Sequence, residues 1–169
     1  MIDYRKLTAA EVEVLKAQMC SAEDWNQVEV VEGFIPETVQ HTRFSGHVKL
    51  GLFRKEFMLA GGMRKHSGVR FATLHNVTVG DDCCIENVNN CIANYVIGHD
   101  TFIGNVDVIL TDGVSSFGNG VEVSVLSETG GREVMIFDGL TAQTAYIMAL
   151  YRHRPVMISR LREMIGDYV

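Results

Sequence analysis

Stepping by six from Val79 meets Val79, Ile85, Cys91, Ile97, Ile103 and Ile109, five branched aliphatics and one small apolar residue. An α-helix, at about 3.6 residues per turn, cannot hold one face at that interval. Three short strands of six residues each can, and one turn of such a coil is then 18 residues. The longer interval recurs independently. It relates Leu74, Ile92 and Leu110, then Asn76, Asn94 and Asp112, then Gly80 and Gly98, Asn87 and Asn105, and Val88 and Val106. Stacked turns set equivalent residues about 4.8 Å apart. An asparagine then hydrogen-bonds to its copy one turn on, and glycine serves corners that need a permissive backbone. The pattern predicts a parallel β-helix.

The regular coils are expected over 61–132, with Phe117-Gly118-Asn119-Gly120-Val121-Glu122-Val123 as a further rung displaced by a small insertion. Residues 28–59 are rich in β-formers but keep the six-step poorly, so an earlier, irregular coil is expected there and the whole β-helix spans 28–137. Asn89, Tyr95 and Asp107 fall where a small apolar residue belongs, which predicts a distorted register at those points. Cys83, Ile85, Cys91, Ile97 and Ile103 are expected inside, and Leu74, Ile92 and Leu110 in one column. Residues 1–27 hold a helix and lead-in, where Thr8-Ala9-Ala10-Glu11 is a capping box ahead of Val12, Leu15 and Met19. Residues 138–169 form a helical segment, with one helix over 141–152 and a second opened by Pro155 and carrying Met157, Leu161, Met164 and Ile165 on its apolar side. More protein beyond this segment, in a longer chain, is compatible with the pattern.

Of the 169 residues, 47% are hydrophobic and the formal charge is −6. That balance excludes a disordered chain and lacks the basic footprint of a general nucleic-acid partner. No apolar run approaches the roughly 20 residues of a membrane-spanning helix, and no apolar signal core follows Met1. A cytoplasmic protein is expected. The four cysteines include the adjacent Cys83 and Cys84 but no CxxC, which speaks for buried thiols rather than zinc or disulfides. No metal ligand set, Walker motif, dinucleotide motif or paired-carboxylate spacing stands out.

Val79-Gly80-Asp81-Asp82-Cys83-Cys84 and Ile97-Gly98-His99-Asp100-Thr101-Phe102 resemble the rungs of the left-handed β-helix family of hexapeptide-repeat transferases. The left hand is what the resemblance implies, against the general preference for right-handed crossovers. Ile97-Gly98-His99-Asp100-Thr101-Phe102-Ile103-Gly104-Asn105, with Asn94 ahead of it, resembles the catalytic rung of the UDP-N-acetylglucosamine acyltransferases. The C-terminal part of UDP-N-acetylglucosamine pyrophosphorylases shares the same coil. The resemblance implies a homotrimer with sites in clefts between coils, no tightly bound cofactor, and an acyl-CoA or acyl-carrier protein as co-substrate for transfer to a nucleotide-linked sugar. It further implies that His99 is the general base and Asp100 its partner. The chemistry asks for such a base, because an attacking hydroxyl or amine must shed a proton and imidazole titrates near neutrality. Two positions depart from that rung: Val96 stands where the family has a second histidine, and Ser116–Gly120 offers none on the next coil.

Candidate substrate-binding residues are His75, Asn94, Asn105, Arg64 and Lys65. His75 lies on the preceding coil, in the cleft or in the asparagine ladder. Arg64 and Lys65 sit in the glycine-hinged basic loop Gly61–His66, which suits a phosphate or the solvent. Three readings therefore stand side by side: a transferase acting on a nucleotide-linked sugar, a fragment of a protein related to sugar-nucleotide pyrophosphorylases, and a non-catalytic β-helix assembly module.

Overall fold

The computed structural model describes residues 3–125 and 128–169. The first of its two units ends at Asp112, and the second is Gly113–Val169. In the first unit, β1 (Tyr4–Lys6) and helix α1 (Ala9–Ala17) precede the strands β2 (Ser21–Ala22), β3 (Val28–Val31), β4 (Val39–Ser45) and β5 (Val48–Leu50). A hairpin of β6 (Glu56–Met58) and β7 (Arg64–His66) interrupts the series. The long strands β8 (Gly68–Val79), β9 (Cys84–Ile97) and β10 (Phe102–Leu110) complete it. Apart from β1, which joins β3 antiparallel, and the β6–β7 hairpin, the pairings are parallel, giving a β-solenoid of about five turns.

Three interior columns run along the coil. They are Val39, Val69, Ile85 and Ile103, then Phe44, Leu74, Ile92 and Ile109, and finally Val30, Leu50, Val79 and Ile97. All except Ile97, Ile103 and Ile109 are fully buried, and Ile97 is 7% exposed. Each rung shields its neighbours on both sides. Ile103 and Ile109 are half-buried because they belong to the last turn, whose strand pairs on one side only. Leu15 of α1 is fully buried in the same core. That helix begins in a true capping box, the Thr8 hydroxyl accepting from the Glu11 N–H and the Glu11 carboxylate from the Thr8 N–H.

Register shifts account for the differences from the repeat expectation. Between the pairs Arg70–Glu86 and Leu74–Ile92, β9 uses two more residues than β8. Cys91 is therefore displaced to a half-buried position and Ile92 takes the interior one. Between Val106 and Val108, β10 skips one residue relative to β9, so Ile109 stacks on Ile92 and Leu110, 53% exposed, leaves the column. Asn89 and Asp107 lie in these irregular stretches and face solvent. Cys83, Ile85 and Ile97 are buried as expected. All four cysteines are free thiols.

Parallel pairing starts at Ser21 and ends at Leu110, not at 28 and 137. The Gly61–His66 loop is instead the turn and second strand of the hairpin arm, with Gly61 and Gly62 at φ 79° where side chains are strained. The expected rung at Phe117–Val123 is a turn leading into an antiparallel pair, β11 (Val121–Ser124) with β12 (Glu133–Ile136). Gly118 and Gly120 supply its left-handed backbone. Helices α2 (Ala142–Leu150) and α3 (Pro155–Tyr168) follow, capped by the Thr141 hydroxyl and opened by Pro155. Val134, Met148, Ala149 and Ile165 form the core of this second unit.

Candidate functional site

One corner of the coil carries chemistry-bearing residues on successive turns, Gly80-Asp81-Asp82 below and Gly98-His99-Asp100 above. The turns approach so closely that a Cβ on Gly80 would lie 2.7 Å from the His99 backbone N. Asp82 and Asp100 occupy the left-handed region at φ 56° and 58°, which aspartate tolerates better than most side chains. On the lower turn both carboxylates accept main-chain donors. Asp81 Oδ1 takes the Leu52 N–H at 2.8 Å, and Asp82 Oδ1 takes those of Arg54 and Lys55 at 2.8 and 2.9 Å.

On the upper turn the same corner is reassigned to side chains. His99 Nδ1 lies 3.0 Å from Asp100 Oδ2, and Lys55 Nζ lies 2.5 Å from Asp100 Oδ1. An ionised carboxylate only accepts, so Nδ1 is the donor here, and in the neutral ring Nε2 is then the acceptor. Adjacent strand residues point to opposite faces, but His99 and Asp100 are in a corner, and its left-handed turn lets them meet. The Lys55 hydrogen bond, and then that of His99, hold the Asp100 carboxyl below the usual carboxylate range. The His99 side chain is 82% exposed. His47, Lys49, Thr78 and Val96 line a groove of about 480 Å³ on the outward face of the strand leading to His99.

The remaining candidates are engaged elsewhere. Asn76 Oδ1 accepts the His47 N–H at 3.0 Å, which turns its amide NH₂ toward Asn94 Oδ1 at 3.3 Å and His75 Nε2 at 3.0 Å. His75 must then donate from Nδ1 to Ser45 Oγ, 2.7 Å away. With both ring nitrogens hydrogen-bonded, it belongs to the ladder. Asn94 continues that ladder to the Thr111 carbonyl at 2.9 Å, in the place expected for Asp112, because the skipped residue in β10 moves Asp112 out of register. Asn105 accepts from Asn87 at 3.2 Å at a different corner. Arg64 lies 3.7 Å from Glu56 across the hairpin, and Lys65 pairs with buried Glu86. The structure thus joins His99 to Asp100. It adds Lys55, which no motif announced, because it lies in the insertion where the period is broken.

Among the described residues, no three His, Cys, Asp or Glu side chains are grouped to hold a metal ion, and no helix is long and apolar enough to cross a membrane. A family model described as a domain of unknown function (DUF4954) matches residues 4–169. An uncharacterized protein of Treponema pallidum (strain Nichols) is 24% identical over 172 residues, covering 95% of this chain and 24% of the relative. The chain therefore spans about a quarter of the length of the curated relative it matches. No solved structure matches the chain. These findings correct the resemblance to the left-handed β-helix family of hexapeptide-repeat transferases, the UDP-N-acetylglucosamine acyltransferases and pyrophosphorylases included, since the family that accounts for nearly the whole chain is a different one. The likeness rested on about a dozen residues around His99. Close-packed corners select Gly, Asn and Asp in any such coil, whatever its chemistry.

Proposed function

The chain belongs to the DUF4954 family, and within that frame we propose that its solenoid carries a transferase site with His99 as the general base. The reaction is acyl transfer from a coenzyme A or carrier-protein thioester to a hydroxyl or amine, with a nucleotide-linked sugar as the acceptor class. The acceptor oxygen or nitrogen attacks the thioester carbonyl while Nε2 of His99 takes its proton; the carbon–sulfur bond then breaks, and the leaving thiolate takes that proton back. The observation that carries this reading is the His99 Nδ1–Asp100 Oδ2 hydrogen bond, 3.0 Å long, which in the neutral imidazole leaves the outward nitrogen as the acceptor. The groove beside Val96 supports it by offering the acceptor a resting place on the same strand. A homotrimer is part of the proposal, a second copy supplying the wall that a corner residue lacks.

One observation favours a second reading, a non-catalytic assembly module: His99 is 82% exposed and stands on a convex corner. A thiol-release assay with coenzyme A thioesters and a panel of nucleotide sugars separates the two. His99→Ala should lower turnover about 10²–10⁴-fold, the usual contribution of a positioned base, and leave the melting temperature unchanged. Unchanged turnover removes His99 from the mechanism. An absence of turnover and of ligand binding in every form turns the reading to the assembly module.

A further inference from the structure

Lys55 stands at the root of the hairpin arm, and both of its backbone polar groups are bonded. Its N–H donates to Asp82 Oδ1 at 2.9 Å, and its carbonyl accepts from the Ser67 N–H at 2.7 Å. Its ammonium lies 2.5 Å from Asp100 Oδ1 and 5.1 Å from the centre of the Phe57 ring, which rests against Phe102 at 5.9 Å. The two stacked corner aspartates thus share one residue, Asp82 holding its main chain and Asp100 its side chain. Exposed ion pairs contribute little in general because two free side chains must be ordered to make them. Here the lysine backbone is already fixed and a ring face favours the cation. Further along the arm, Lys65 pairs with buried Glu86, which also faces Arg70 at 3.9 Å, so the second strand is fastened to the coil as well.

We propose that Lys55 is a positioning residue that acts through Asp100 to set the His99 imidazole, and that the arm serves to deliver it; the catalytic consequence rests on the transferase reading above. Asp100 Oδ2 stays aimed at Nδ1 while Oδ1 is anchored. Without the anchor, a half-exposed carboxylate on a convex corner turns to water. Imidazole in water prefers its proton on Nε2, so the Asp100 hydrogen bond is what keeps the outward nitrogen free to accept. Among the described residues, no other turn carries this arrangement. One turn below, Asp82 spends its carboxylate on backbone N–H groups, and Asp81 stands where His99 does.

The test uses the full chain labelled with ¹⁵N-histidine, above the pH range in which imidazole titrates. His99 is assigned by its absence in His99→Gln. The wild type should show the Nδ1–H tautomer at His99. Lys55→Met should move it toward Nε2–H, and Lys55→Arg should restore it. In the thiol-release assay, Lys55→Met should lose roughly 10- to 100-fold in kcat, as expected when a reacting group is misplaced by a fraction of its contact distance, with KM unchanged. Because both side chains are about half exposed, the melting temperature should fall only slightly, far less than a loss of the fold would require. An Nε2–H tautomer in the wild type, or a Lys55→Met spectrum identical to it, overturns the proposal. A tautomer that follows residue 55 in a protein with no transfer activity upholds the positioning role and sinks the transferase reading instead.

Discussion

The coil and the C-terminal unit draw on the same aliphatic residues but bury them to different depths. In the coil, Phe44, Leu74 and Ile92 stack with no exposure at all, as do Leu50 and Val79. In Gly113–Val169, the buried set is Val134, Met148, Ala149, Ile158 and Ile165, while Val121 is 49% and Tyr146 56% exposed. A rung in a solenoid shares its interior with the rungs above and below, so burial propagates along the axis. A two-stranded hairpin has only one face to offer and depends on the helices laid against it. The comparison teaches that repetition, rather than hydrophobic content, gives this chain its deep core.

The largest expected effect tests that claim directly. Ile92→Ala removes a fully buried side chain from the middle of a column, and should cost about 2–5 kcal/mol because close-packed neighbours relax only partly. Trp25 packs edge-on to Phe44 at 6.1 Å in the same core, so its fluorescence in a denaturant titration reports the change. Leu161→Ala, at a half-buried position of the second unit, should cost less, read from the helical circular dichroism. Equal costs would erase the distinction between the two regions.

The readable part of the chain is the part where corner chemistry and period agree. Asn76, Asn94, Asn87, Asn105, Asp82 and Asp100 all adopt positive φ, and short amide and carboxylate side chains are suited to that region. The earlier turns put Met19, His41 and Phe71 in the same backbone region, with His41 and Phe71 paired to each other in the corner that Asn87 and Asn105 later occupy. Met19 and Phe71 are poor choices for a left-handed turn, and a lone His41 is a weak sign of one, so the composition did not announce the corner. Pairs such as Val28–Val48 and Phe44–Leu74 also depart from the 18-residue step. The rung of His99 and Asp100 was legible for the first reason. Lys55 was not, because it reaches Asp100 from an insertion that obeys no period. Beyond Leu110 the expectation of further rungs fails for a related cause: Gly118 and Gly120 resemble coil corners, yet they turn the chain into an antiparallel pair.

The polar columns give a smaller and separable effect. Asn76 combines φ 51° with bonds to His47, His75 and Asn94. Asn76→Ala should cost about 1–3 kcal/mol, from left-handed strain and the lost hydrogen bonds. Asn76→Gly removes the strain and keeps the second loss, so it should fall between alanine and wild type in the same Trp25-monitored titration. A glycine variant as unstable as alanine would show that the ladder alone matters. One as stable as wild type would show that the backbone alone does.

The smallest effect concerns acid, and it belongs to the helix at the start of the coil unit. The Glu11 carboxylate receives two bonds from the Arg5 guanidinium, at 2.9 and 2.8 Å, together with the Thr8 N–H at 2.8 Å. The Arg5 hydrogen bonds act most strongly, burial opposes them, and the Thr8 hydrogen bonds add to the lowering, which takes its pKa from 4.5 to about 2. A carboxylate depressed by folding stabilises the native state fully above its unfolded pKa, and that contribution fades as the pH falls toward the folded one. The loss should therefore run from about pH 4.5 down to about 2. Arg5 keeps 32% of its side chain in solvent, so screening limits the contribution to roughly 1 kcal/mol or less. Glu11→Gln should flatten this part of the acid titration of stability while leaving the neutral-pH cost of Ile92→Ala unchanged. A wild-type curve with no slope in that window would mean that the Arg5 bonds do not persist in solution, and the first turn of the helix would then hold by its Thr8 cap alone.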